Sequence, residues 1–163
     1  MSDISIILLA AGNSTRFECG IKKQWLRIGD LPLWQFVTNR FIESKKFADV
    51  IITGHPEEAD YMRLHGNYTV VKGGESRQDS LKSALSHVHT PYVMVTDVAR
   101  GCIDSKLISR LIDNRDKADS IVPVLHMHDT VVYKGNTIDR AELLRIQTPQ
   151  LSVSGVLKSA LKT

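Results

Sequence analysis

The chain has 163 residues, of which 42% are hydrophobic and 24% charged, as in an ordinary folded protein. This length fits one domain, 1–163, with a core that needs no disulfide or structural metal. Scattered basic residues give a net charge of +3 and no basic stripe, so we do not expect a nucleic-acid partner. The apolar run 4–11 lacks a basic leader and is too short to span a membrane, which predicts a cytoplasmic protein without a membrane partner.

Short apolar runs alternate with segments of helical periodicity along the chain. The predicted strands are 4–9, 49–54, 68–72, 92–97, 121–125, 130–133 and, more weakly, 143–146. The predicted helices are 32–42, 56–65, 78–88, 105–117 and 152–161. This alternation predicts an α/β protein built on a mostly parallel sheet between helix layers. Because no strand follows the final helix, we expect the chain to be truncated at its C-terminus.

Four segments of unusual composition follow predicted strands, at the sheet edge where open α/β sheets bind ligands. They are 9–17, 73–80, 96–101 and 146–150, the last preceded by Arg140. Small residues and glycines in the first two let the backbone approach a ligand, and amides there can face phosphate oxygens. Asp97 in the third segment suits a ribose hydroxyl or a metal-bound water, and Arg100 suits a phosphate. Each segment alone also fits an ordinary turn, helix entry or surface salt bridge.

Six short motifs run through these segments in order. They are Ala10-Ala11-Gly12 with Arg16, Lys23-Gln24, Gly73-Gly74-Glu75-Ser76-Arg77-Gln78-Asp79-Ser80, Asp97-Val98-Ala99-Arg100, Asp129-Thr130, and Thr148-Pro149-Gln150 with Arg140 eight positions before Thr148. Together they resemble the 2-C-methyl-D-erythritol 4-phosphate cytidylyltransferase (IspD) family of the non-mevalonate isoprenoid pathway, along nearly the whole chain. The resemblance implies a Rossmann-like α/β/α sandwich of the nucleotide-diphospho-sugar transferase type.

The sequence departs from the usual family pattern in three ways. Lys22 stands where the family usually has Pro, and Val98 and Gly101 replace the usual Ala and Pro around Arg100. These variants are similar to the cytidylyltransferase half of bifunctional IspDF enzymes, which implies a cyclodiphosphate synthase fused in the parent protein. The sequence ends at Thr163, before a family segment with a substrate-binding Thr and a phosphate-binding Lys. We therefore expect the cytidylyltransferase activity to depend on that segment, even in an active parent protein.

The resemblance implies transfer of CMP from CTP to 2-C-methyl-D-erythritol 4-phosphate, with release of pyrophosphate. The implied catalytic residues are Arg16, Lys23 and Arg140. The implied nucleotide-binding residues are Ala10, Ala11, Gly12, Ser14, Gly74, Glu75, Arg77, Ser80, Asp97 and Val98. The implied residues for the methylerythritol substrate are Asp97, Arg100, Thr130, Arg140 and Thr148. Mg²⁺ would be held mainly by the CTP phosphates, with no protein metal ligand assigned, and the family implies a homodimer with 129–141 as a candidate arm.

Three other readings of the sequence stay open. Transfer to a related pentitol phosphate, such as ribitol 5-phosphate, would use similar CTP motifs. A non-catalytic nucleotide-binding module would use the same glycine-rich segments without turnover. A structural zinc site would draw on two His-x-His pairs, although no carboxylate or cysteine accompanies them at a recognisable spacing. These pairs are His87 with His89 and His126 with His128.

Overall fold

The computed structural model describes residues 2–15, 17 and 20–162. The strands are β1 Ile4–Ala10, β2 Arg27–Ile28, β3 Leu31–Pro32, β4 Val50–Gly54, β5 Thr69–Lys72, β6 Tyr92–Asp97, β7 Ser120–Ile121, β8 Val124–His126, β9 Val131–Tyr133, β10 Asn136–Ile138, β11 Leu144–Ile146 and β12 Gln150–Val153. The helices are α1 Leu33–Ser44, α2 Ala59–Arg63, α3 Arg77–Leu85, α4 Ser105–Asp113 and α5 Ser154–Ala160. Short 3-10 helices lie at Lys23–Trp25, Arg115–Lys117 and Arg140–Glu142.

One six-stranded sheet, in the order β5-β4-β1-β6-β12-β7, forms the centre of the described chain. Strands β5, β4, β1 and β6 pair in parallel, whereas β12 runs antiparallel to both of its neighbours. The parallel strands therefore all deliver their carboxyl ends to one edge of the sheet. The small ribbons β8–β11 and β9–β10 lie outside this sheet.

The central strand β1 is buried along its full length, because helices cover both faces of the sheet. Its even-numbered residues, such as Ile6 and Leu8, join a core with α1, α2 and α4. Its odd-numbered residues Ile7 and Leu9 join a second core with α3 and with Leu157 of α5. This period of two separates the layers, and the predicted α/β/α sandwich with a mostly parallel sheet is confirmed.

Several sequence predictions differ from the structure in their bounds, and three of these differences change the type, extent or number of elements. The predicted helix 152–161 is shorter, since residues 150–153 form β12 between β6 and β7. The predicted helix 56–65 is reduced to α2, because the backbone N–H groups of Glu58 and Ala59 both donate to the His55 carbonyl in a turn. The predicted strand 121–125 is divided into β7 and β8. No helix in the described part of the chain is long and apolar enough to cross a lipid bilayer.

Candidate active site

A cleft of about 970 Å³ opens at the carboxyl ends of β1, β4, β5 and β6. Three of the four segments expected to bind ligands contribute to its walls. The lining residues are Leu9, Ala10, Ala11, Gly12, Asn13, Ser14, Lys23, Gln24, Thr53, His55, Pro56, Gly73, Gly74, Glu75, Ser76, Arg77, Ser80, Asp97, Val98, Ala99 and Arg100. The cleft thus gathers backbone amides, two arginines and a lysine with two carboxylates, Glu75 and Asp97, and its cationic groups suit a polyanionic ligand.

The turn between β5 and α3 forms one wall and depends on two glycines. A Cβ on Gly73 would lie 2.5 Å from the Ala11 Cβ, and a Cβ on Gly74 would lie 2.3 Å from the Asp79 Cβ. The Gly74 N–H donates to the buried Ser80 Oγ at 3.1 Å, and that hydroxyl in turn donates to the Ser76 carbonyl. Ser80 therefore fixes the turn that lines the cleft.

A capping box starts α3 directly beside this turn. The Asp79 N–H donates to Ser76 Oγ at 3.0 Å, and the Ser76 N–H donates to Asp79 Oδ2 at 3.3 Å. The hydrogen bond from the Ser76 hydroxyl is the main reason that the pKa of the Asp79 carboxyl lies below its usual value. The capping box holds the first turn of α3 in place at the cleft wall. The partial positive charge of a helix N-terminus favours an anion there.

Lys23 belongs to the 3-10 helix Lys23–Trp25, whose three residues have three different environments. The Lys23 N–H donates to Ser14 Oγ at 2.9 Å, and its ammonium lies 5.2 Å from the centre of the Phe17 ring. The Gln24 side chain is buried and donates to the Gly12 carbonyl at 3.1 Å. The Trp25 ring packs edge-on against Trp34 of α1. The packed side chains of Gln24 and Trp25 thus support Lys23 at the cleft wall.

The Lys22 side chain forms an ion pair outside the cleft. Its ammonium lies 2.8 Å from Glu58 Oε1, while Gln24 donates to Glu58 Oε2 at 3.2 Å. Burial by itself would raise the pKa of the Glu58 carboxyl. Hydrogen bonds from Lys22, Trp25 and Gln24, with the Lys22 charge, outweigh that cost, so this pKa lies below its usual value. Lys23 therefore lines the cleft, whereas its neighbour Lys22 pairs with Glu58, the residue before α2.

Asp97 ends β6 and is held through both carboxylate oxygens. Arg77 Nε donates to Oδ1 at 3.2 Å, and the Thr148 hydroxyl approaches Oδ2 at 3.5 Å. Thr148 precedes a cis peptide bond to Pro149. These contacts bring residues from three distant parts of the chain to one carboxylate.

Arg100 also lines the cleft, and its guanidinium donates to Gln147 Oε1 at 2.9 Å. Arg140 and Thr130, by contrast, are exposed on the segment that contains the β9–β10 hairpin and do not line the cleft. Arg140 donates to the His128 carbonyl at 2.8 Å. The structure thus brings together the predicted nucleotide-binding residues with Lys23 and Arg100, and it places Arg140 and Thr130 apart from them. The predicted catalytic residue Arg16 lies outside the described residues.

Several cleft residues were not singled out from the sequence. His55 and Pro56 enter the wall from the turn after β4, and Thr53 from the end of β4 itself. Glu58, behind the wall, bridges Lys22 and Gln24. No local pattern marks these residues, although the carboxyl end of β4 at the same sheet edge gave a positional signal for the first three.

The site fits a magnesium ion that is held mostly by a substrate's phosphates. Mg²⁺ commonly takes one or two protein carboxylates with phosphate oxygens and water. Asp97 supplies one partly exposed carboxylate within the cleft. Among the described residues, no cluster of three or more His, Cys, Asp or Glu side chains is arranged to hold a metal.

Comparison with known proteins agrees with this architecture. The family model for IspD, 2-C-methyl-D-erythritol 4-phosphate cytidylyltransferase, matches residues 4–163. The bifunctional enzyme IspD/IspF of Nitratiruptor sp. is 52% identical over 161 residues, covering 99% of this chain and 43% of that protein. The corresponding enzyme of Sulfurimonas denitrificans is 51% identical, over 97% of this chain and 41% of its own length. The chain therefore spans less than half the length of these relatives.

Solved structures give the same relationship. The bifunctional IspDF of Campylobacter jejuni matches with a TM-score of 0.93 and 42% identity, over 99% of this chain and 44% of that one. The 2-C-methyl-D-erythritol 4-phosphate cytidylyltransferase of Thermus thermophilus matches with a TM-score of 0.76 and 25% identity, over 96% of this chain and 73% of that one. With the family model covering nearly every residue, the chain belongs to the 2-C-methyl-D-erythritol 4-phosphate cytidylyltransferase (IspD) family.

Proposed function

We propose that the chain transfers the cytidylyl group of CTP to 2-C-methyl-D-erythritol 4-phosphate, giving CDP-methylerythritol and pyrophosphate. The observation that carries the proposal is the cleft, where the glycine turn, Lys23 and Asp97 of the family's motifs meet at one sheet edge. The matching family model and the Thermus thermophilus protein both have 2-C-methyl-D-erythritol 4-phosphate cytidylyltransferase as their name. We assign the transfer to the single cytidylyltransferase domain to which residues 1–163 belong.

The nucleotide lies, in this proposal, between the β1 loop and the β5–α3 turn. Backbone groups of 10–12 and 74–75 bind the cytidine, since the short side chains at 10 and 11 and the open space around Gly12 permit close approach. Ser80 holds this wall in place, and Arg77, Ser14 and Val98 complete the nucleotide pocket. Asp97 binds the sugar, and Arg77 keeps the carboxylate oriented.

The reaction is an in-line substitution at the α-phosphorus of CTP. A phosphate oxygen of the methylerythritol substrate forms the new P–O bond as the bond to the pyrophosphate leaving group breaks. The attacking oxygen is already anionic, so the protein needs no general base and acts by positioning and charge stabilisation. Lys23, with Arg16, stabilises the negative charge on the transferring group and on pyrophosphate. Asp97 would lie near an Mg²⁺ ion held mainly by the CTP phosphates, and that ion would supply positive charge to balance the triphosphate.

The acceptor lies on the Asp97–Arg100 side of the cleft. Arg100 and Thr148 line or adjoin this side, since Arg100 contacts Gln147 and Thr148 contacts Asp97. We propose that Thr130 and Arg140 also bind the acceptor's phosphate, within a homodimer that uses 129–141 as an arm. Exposed apolar side chains on and beside this arm, including Val132, Tyr133 and Ile146, favour such an assembly. A cyclodiphosphate synthase fused in the parent protein accords with the names and lengths of the relatives.

The test is pyrophosphate release by the purified protein with CTP and Mg²⁺, measured in parallel with methylerythritol phosphate and ribitol 5-phosphate. We expect release with methylerythritol phosphate and at most a few per cent of that rate with ribitol 5-phosphate. A preference for ribitol 5-phosphate would overturn the proposed acceptor. CTP binding with no release from either acceptor, in this chain and in its parent protein, would favour a nucleotide-binding module instead.

A further inference from the structure

Glu58, at the start of α2, contacts Lys22 and Gln24, the residues on either side of Lys23. Its Oε1 pairs with Lys22 Nζ at 2.8 Å, and its Oε2 accepts from Gln24 Nε2 at 3.2 Å. The same Gln24 amide donates to the Gly12 carbonyl at 3.1 Å. One carboxylate and one buried amide therefore link Gly12 at the cleft wall to residues 22–24.

This network differs from an isolated surface salt bridge, which typically contributes little to stability. Gln24 is only 3% exposed, so its two hydrogen bonds form where competing water is scarce. The side chains of Lys22 and Glu58 are 27% and 20% exposed, and their pair is charge-assisted. Removing Glu58 would leave both the ammonium and the buried amide without their shared acceptor.

The backbone of Lys22 indicates what the network fixes. Lys22 has φ −65° and ψ 144° and immediately precedes the 3-10 helix that carries Lys23. A proline ring would impose the same φ through its covalent geometry. In this chain a lysine holds that conformation, and its side chain is fixed by Glu58 on a neighbouring element.

We propose that Glu58 is a positioning residue for cytidylyl transfer: through Lys22 and Gln24 it holds the 3-10 helix Lys23–Trp25 beside Gly12 and fixes Lys23 at the cleft. The role of Lys23 in this inference rests on the proposed function, whereas the anchoring of the 3-10 helix does not. Glu58 itself does not line the cleft, so it acts through its partners.

The test combines hydrogen–deuterium exchange of segment 12–24 with steady-state turnover, in the purified protein. Glu58→Ala should speed exchange in this segment and lower kcat about tenfold, because small displacements of a catalytic group are costly. The KM for CTP should change less than kcat. Glu58→Gln, which keeps the shape and an acceptor, should lose less, and Glu43→Ala on an exposed site of α1 serves as the matched control.

A rescue experiment separates positioning from a general loss of stability. Lys22→Pro restores the backbone angle without the ion pair, so Lys22→Pro with Glu58→Ala should recover much of the lost kcat. Normal exchange and kcat in Glu58→Ala, or an equal loss with and without Lys22→Pro, would overturn the inference. The exchange measurement needs no turnover, so it decides on the anchor even if the protein transfers no cytidylyl group, a result that would defeat the proposed function instead.

Discussion

Two adjacent lysines with the same side chain make different contacts in this protein. Lys22 is paired with Glu58, whereas Lys23 lines the cleft and contacts the Phe17 ring. Sequence alone left the role of Lys22 open, because adjacent residues share the same local pattern. Only the folded chain places Glu58 at the start of α2 beside Lys22, and Lys23 beside the cleft.

Replacement of Lys23 by Met should lower kcat by about 10²-fold or more, the usual effect of losing one preorganised charge-stabilising group. Lys106→Met, on an exposed site of α4, is the control with the same chemical change. Pyrophosphate release at saturating CTP measures both variants. Turnover by Lys23→Met within twofold of the wild type would remove this residue from the proposed catalytic set.

Glu58 should make stability depend on pH in the acid range. Its pKa is lower in the folded protein than in an unfolded chain, so the stabilisation is present at neutral pH and is lost as pH falls through the folded pKa. Urea denaturation at a series of pH values should show wild type more stable than Glu58→Gln near pH 7. That difference should shrink on acidification; a pH-independent difference would contradict the assignment.

At the scale of elements, the β5–α3 turn is the part of the site most constrained by packing. Gly73→Ala would bring a Cβ to 2.5 Å from Ala11 and 2.8 Å from Ser80 Oγ, so backbone must shift. We expect a loss of about 1 to 3 kcal/mol, the range for overpacking, together with weaker CTP binding. Urea denaturation and calorimetry measure the two effects.

Gly155→Ala in α5 is the matched control for this substitution, because a Cβ there meets no atom within 4 Å. Its stability should stay unchanged or rise slightly, since alanine favours a helix over glycine. Equal losses in the two variants would show that glycine at 73 is not required for close packing.

The sequence predicted the elements of strong local pattern well. Strand β6 has the predicted bounds 92–97, and α3 begins one residue before its predicted start because Ser76 and Asp79 cap it. Strand β12 was missed, since its four residues gain their partners β6 and β7 only in the folded sheet. The same limit applies to the site: motifs indicated Asp97 and Lys23, but the Glu58 bridge depends on contacts across 34 positions of sequence.

For the whole molecule, the exposed apolar residues of the arm predict self-association. Val132 is 62% exposed on β9, and Tyr133 beside it is 60% exposed. We expect a dimer in sedimentation experiments at micromolar concentration, weakened by Val132→Asp. Val156→Asp, at an exposed apolar position of α5, should leave the dimer intact. A monomer in the unmodified protein would contradict the proposed homodimer.

Phosphorus NMR of the reaction with methylerythritol phosphate labelled with ¹⁸O in its phosphate tests the central claim most directly. Attack on the α-phosphorus predicts that labelled oxygen bridges the two phosphorus atoms of the diphosphate product, shifting both resonances. The pyrophosphate released should carry no label. Label in pyrophosphate, or release of CMP in its place, would contradict the transfer proposed for this cleft.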